Sequence, residues 1–147
     1  AARCRYIMHK SNQLMSDTMF TPVSTRAASA YKRVSVETSV DGASPHQLVN
    51  LLFEALLQSL AAARSALEHG DVATKGQHLS KAVRLIEEGL KCSLDDAGGD
   101  ITANLRTVYS YAVRCLTEAN LKNDRQKVVE VIELIEPIAD AWKQIGK

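Results

Sequence analysis

From residue 44 onward, apolar positions recur every three or four residues, interrupted at intervals by capping and turn residues. Ser44-Pro45-His46-Gln47 predicts a helix start. Ser44 is placed to cap, Pro45 sits where its missing N–H costs nothing, and Gln47 completes a capping box. The run that follows sets Leu48, Leu52, Leu56, Ala63 and Leu67 on one face and stops at His69-Gly70. Asp71 caps a second helix striped by Val72, Gly76, Leu79, Val83, Ile86 and Leu90. After the break Leu94-Asp95-Asp96-Ala97-Gly98-Gly99, Asp100 caps a third, with Ile101, Leu105, Val108, Ala112, Cys115 and Ala119 as its stripe. Asp124 caps a fourth, striped by Val128, Val131, Ile135, Ile138, Trp142 and Ile145. Pro137 lies inside this last helix and should bend it or open one hydrogen bond.

The predicted helices cover residues 45–69, 71–94, 100–122 and 124–145, and short connections force successive helices to run antiparallel. The expected fold is therefore all-α: an up-down-up-down four-helix bundle over 44–147, preceded by a flexible N-terminal segment. Within that segment, 26–43 carries a brief apolar pattern, Ala30, Tyr31, Val34 and Val36, suited to capping a groove on the bundle. Residues 1–25 are polar and aperiodic, and Met8, Met15 and Met19 each offer a start site. That stretch is read as a disordered or extraneous extension.

The helices hold more apolar residues than a bundle stripe needs. Val49, Phe53, Leu57 and Leu60 form a second stripe on the first helix, Leu85 and Leu94 add to the second, and Tyr109, Tyr111, Val113 and Leu116 to the third. Such an excess either widens the core or presents a groove for an amphipathic helix from another chain. Tyr31, Leu57, Leu85, Leu94, Tyr109, Val113 and Leu116 are the candidates for that groove.

Composition and charge narrow the classes. With 147 residues and 46% hydrophobic content, the chain has room for one core. No run is long and apolar enough for a membrane span or a secretory signal. Cys4, Cys92 and Cys115 lack any CxxC spacing, which speaks against a zinc knuckle or disulfide framework and favours free thiols in a reducing cytoplasm. The net charge of +1 divides unevenly: residues 1–33 are strongly basic and the remainder acidic. The body offers no basic face to extend the arm, so nucleic acid is not expected as a partner.

Chemistry-bearing motifs are sparse. The chain has no Glu-x-x-His pair for a di-iron bundle, no phosphate loop and no nucleophile elbow, so neither metal, cofactor nor catalysis is expected. Asp95, Asp96 and Asp100 lack the alternating ligands of a calcium loop and read as capping and solvating residues. His78 with Lys81 has the spacing of a histidine phosphotransfer helix, which makes that bundle class the alternative. However, Ala82 stands where such a helix has glycine, and a surface His beside a surface Lys explains the pair.

Several of these segments, taken in order, resemble one family, the FliS flagellar secretion chaperones. They are Ala30-Tyr31-Lys32-Arg33 with Val36-Glu37-Thr38, then Ala43-Ser44-Pro45-His46-Gln47-Leu48-Val49 with Leu51-Leu52-Phe53-Glu54-Ala55-Leu56. Lys81-Ala82 with Gly89-Leu90 and Ser93-Leu94-Asp95 follows, then Gly98-Gly99-Asp100-Ile101 through Tyr111, and finally Pro137-Ile138 and Ala141-Trp142. The resemblance runs over about residues 27–147 and departs at Glu54-Ala55, where the family has Asp-Gly. It implies a cytoplasmic chaperone that uses no ATP and holds the disordered C-terminal region of flagellin against premature polymerisation. It further implies delivery to the cytoplasmic domain of the membrane export gate, with other flagellar regulators as further partners and Tyr31 near the client surface.

Overall fold

The computed structural model describes residues 43–145, so Tyr31 and the rest of the N-terminal segment lie outside the described residues. Four helices follow one another: α1 (Pro45–Glu68), α2 (Val72–Arg84), α3 (Asp100–Lys122) and α4 (Arg125–Ile145). They form an antiparallel bundle in which each helix packs on its sequence neighbours and α4 closes the ring against α1. Among the described residues there is no strand.

The helix boundaries follow from local chemistry. At the start of α1, Gln47 N–H donates to Ser44 Oγ at 3.1 Å while Ser44 N–H donates to Gln47 Oε1 at 2.8 Å, the expected capping box. Ser44→Ala should cost about 1 kcal/mol in a denaturant melt, with the helix still formed. Asp71 accepts from Thr74 N–H at 3.1 Å and starts α2 as expected. The start of α3 differs from expectation. Its cap is Gly99 at φ 63°, with no side-chain cap, and Asp100 is already helical. The turn before it leaves no room for a side chain at Gly98, whose Cβ would fall 2.2 Å from Thr102 Oγ1. That hydroxyl is turned inward and donates to Asp95 O at 2.6 Å. Pro137 is exposed and lies within α4, which continues to Ile145.

The second predicted helix is not uniform. Beyond Arg84 it widens into a π-helical turn, Leu85–Leu90, in which Lys91 N–H donates to Ile86 O five residues back at 2.8 Å. The extra residue in the turn brings Leu85, Ile86, Gly89 and Leu90 all to the interior. Gly89 lets α1 approach: a Cβ there would lie 3.0 Å from Leu52 Cδ2.

The core centres on α1, where both apolar stripes are used. Leu48, Leu52, Leu56 and Ala63 are buried, and so are Val49, Phe53 and Leu60 of the second stripe. A helix flanked by α2, the π-turn and α4 needs a face wider than one stripe, which is where most of its apolar excess goes. At the helix ends the stripes run past their neighbours, so Val72, Ile101 and Ile145 are exposed rather than core. Cys115 is a free buried thiol, as expected. Cys92 is buried and disulfide-bonded, which corrects the expectation of a free thiol there.

One charged side chain is built into the interior. Lys75 of α2 is 3% exposed and donates to Asn120 O at 2.9 Å and to Asn123 Oδ1 at 2.6 Å. It thereby fastens α2 to the end of α3, where Asn123 takes the left-handed conformation at φ 53°. Lys75→Met would leave both oxygens without their cation and should destabilise by about 1–3 kcal/mol in urea unfolding.

Candidate functional site

The seam between α3 and α4 has a register that hydrogen bonds and an ion pair make plain. Lys127 Nζ lies 3.0 Å from Glu118 Oε2, and two turns further along the Tyr111 hydroxyl donates to Glu130. Lys127 holds the Glu118 carboxyl below its ordinary range. The carboxylate of Glu130, accepting its hydrogen bond, pushes the Tyr111 phenol well above its usual value. Those polar pairs close the seam near the α3–α4 turn.

Beyond Tyr111 the seam turns apolar. Val108 and Leu134 face one cavity, and the same register carries Leu105 towards Ile138 and Ile101 towards Trp142. Leu105, Leu134, Ile138 and Trp142 are only partly buried, and Ile101 is 71% exposed. An apolar strip with incomplete cover thus runs along the outside of the bundle. The cavity at its start has about 530 Å³ and is lined by Arg106, Thr107, Val108, Ser110, Tyr111, Arg114 and Leu134. Seven side chains there supply an apolar floor, hydroxyls and two guanidinium groups.

At its far end the strip meets a clasp between α1 and α4. The rings of His46 and Trp142 stack with centroids 4.9 Å apart and an interplanar angle of 10°. Trp142 Nε1–H donates to His46 O at 3.1 Å, and His46 Nε2 lies 2.6 Å from Trp142 O. Trp142 therefore anchors α4 to the start of α1. A smaller cavity of about 120 Å³ opens at the opposite end of the bundle, between Leu67, Val72 and Asn123 among others.

The residues proposed for a groove separate into two groups. Leu85 and Leu116 are fully buried and Tyr109 is 3% exposed, so these three are core, and the expectation that they form open surface is corrected. Leu85, at the start of the π-turn, continues the buried column of Leu79 and Ala82 on α2. On α3 the inward face keeps Ala112, Cys115 and Ala119 of the expected stripe but takes Thr102, Tyr109 and Leu116 in place of Ile101, Leu105 and Val108. Of the displaced residues, Val108 lines the seam cavity, Leu105 is half-buried and Ile101 is exposed. Leu57, Leu94 and Val113 are half-buried against the core, and none of them lines the α3–α4 cavity.

Sequence reasoning missed Leu134, Arg106 and Arg114. The available signal was that Arg106 and Arg114 are the sole charged residues between positions 101 and 117. His78 and Lys81 are both half-buried on α2, and His78 lines neither cavity. Asp95 is spent on its turn, where its side chain accepts from Ala97 N–H at 3.0 Å and its carbonyl from Gly98 N–H. Among the described residues no cluster of His, Cys, Asp or Glu is arranged to hold a metal ion, and no helix is long and apolar enough to cross a membrane.

The fold and the seam define a small helical bundle with the kind of surface on which other polypeptides dock. Comparison with known proteins makes the class specific. Residues 27–147 match the family described as flagellar protein FliS. The flagellar secretion chaperone FliS of Salmonella typhimurium is 51% identical over 118 residues, which covers 80% of this chain and 87% of that one. Its namesake in Escherichia coli is 44% identical over 120 residues, 81% of this chain and 88% of that protein. That of Vibrio cholerae is 40% identical over 116 residues, with 79% and 85% covered. The chain belongs to the FliS family.

Proposed function

We propose that this chain is a cytoplasmic export chaperone of the bacterial flagellum. It binds the disordered C-terminal region of flagellin, keeps it from polymerising early, and presents it to the cytoplasmic domain of the flagellar export gate. The observation that carries the reading is the apolar α3–α4 seam, left partly open between Val108 and Ile101 in a chain of this family.

The physical account needs no catalysis, metal or nucleotide. A disordered client loses conformational entropy when it orders, so tight binding requires burial of a long apolar surface. The seam supplies such a surface from rigid helices, so the scaffold itself pays little ordering cost. A client helix laid along it covers the residues that would otherwise drive flagellin self-association. Release is simple dissociation, coupled to handover at the gate. Leu57, Leu94 and Val113 extend the contact where the client continues around the bundle, and Tyr31 joins it from the N-terminal segment.

The test is polymerisation. Purified chain added at one equivalent to monomeric flagellin should suppress seeded filament growth, and flagellin lacking its C-terminal region should not be bound. Unchanged filament growth at several equivalents would refute the reading.

A further inference from the structure

The polar bridge at the head of the apolar strip is placed to do more than join two helices. Tyr111 is 40% exposed and lines the α3–α4 cavity, yet its hydroxyl crosses the seam and donates to Glu130, a half-buried carboxylate of α4. A hydrogen bond to an ionised acceptor is of the stronger kind, so it holds this exposed side chain across the seam. The strip is therefore bounded by the bridge on the side of the α3–α4 turn and by the His46–Trp142 clasp on the other. Ten positions separate Ile101 from Tyr111 and twelve separate Glu130 from Trp142, about 15 and 18 Å of helix axis. A helix of about three turns fits between those limits, and a longer straight one runs into the bridge. The strip is also uneven in depth. Its cavity, with Val108 and Leu134 in the lining, lies within a turn of Tyr111, whereas Ile101 at the remote end is 71% exposed.

We propose that the Tyr111–Glu130 bridge is a register stop: it ends the client helix on the seam after about three turns and seats a bulky apolar residue of the adjoining turn in the cavity between Val108 and Leu134. The inference rests on the flagellin reading and adds to it the length of the seated helix and the residues that fix its position. Apolar burial is non-directional, so a strip alone tolerates a client that slides by a turn at little loss of area. A fixed edge beside a single deep cavity removes that freedom. Tyr111 meets the client directly, and Glu130 is a positioning residue that acts through it. Because the ring is held before the client arrives, little side-chain freedom is lost there on binding.

The experiment is hydrogen exchange, read by mass spectrometry, on the C-terminal segment of the same organism's flagellin bound to the full chain. The part of the client on the seam is the protected block that Leu134→Asp selectively weakens. With the native chain this block should span about three turns and end sharply on one side. In Tyr111→Ala it should extend past that edge by about one turn, roughly four residues, or spread over two registers. Glu130→Ala and Tyr111→Phe, which each break the bond but leave the ring or the acid in place, should blur the same edge. Glu130→Gln should restore the native edge, because its amide oxygen still accepts from the Tyr111 hydroxyl. That rescue separates positioning from a mere loss of stability. An edge that stays in place in Tyr111→Ala and Glu130→Ala alike would overturn the stop while leaving the flagellin reading intact. Absence of any protection of the flagellin segment by the native chain would overturn both.

Discussion

Leu116→Ala and Leu85→Ala should each destabilise the bundle by about 2–5 kcal/mol, whereas Val113→Ala and Leu57→Ala should cost markedly less. All four are apolar residues outside the principal stripes, and a helical wheel treats them alike. The structure does not: Leu116 and Leu85 have no exposed surface, while Val113 and Leu57 are only partly covered. Truncating a fully buried leucine removes its transfer energy and leaves a cavity that rigid helices fill incompletely. Urea unfolding monitored by helical circular dichroism separates the two groups. Equal small losses at all four positions would mean that the inward face of α3 is drawn one column wrong, and the seam with it.

The second large effect concerns binding. Leu134→Asp should reduce affinity for the flagellin segment by at least tenfold, about 1.4 kcal/mol or more, with helix content unchanged. Leu134 is half-buried at the cavity floor, so a carboxylate there reaches water in the free chain and costs little folding energy. With a client helix in place, the same carboxylate is buried against apolar surface without a partner, which is expensive. Substitution away from the seam cavity, such as Gln77→Asp on α2, should leave binding unaltered, since Gln77 is exposed and does not line that cavity. Retention of full affinity by Leu134→Asp would move the client surface off the α3–α4 seam.

Much of this architecture could be read from the chain itself. Ser44, Gln47, Gly70 and Asp71 act through short-range hydrogen bonds and dihedral preferences, which sequence spacing encodes directly, and the helix limits they predict fall within a residue or two of those observed. What could not be read was rotation about each helix axis. The π-turn at Leu85–Leu90 changes the residues per turn in mid-helix, so a constant 100° step misplaces the residues that follow it. On α3 two adjacent columns are both apolar. Choosing between Leu105-Val108 and Tyr109-Leu116 as the inward pair depends on which neighbours the helix meets, a long-range fact. Leu134 was invisible for the same reason, since its importance comes from Val108 and Tyr111 across the seam.

The central claim is that the open α3–α4 seam is the seat of a disordered flagellin segment. Titration calorimetry of the native chain against that segment over a range of temperatures tests it most directly. The account predicts saturable one-to-one binding with a clearly negative heat-capacity change, the mark of apolar burial on coupled folding, and loss of that signal in Leu134→Asp. Binding with no heat-capacity change, or no binding at all, would contradict it.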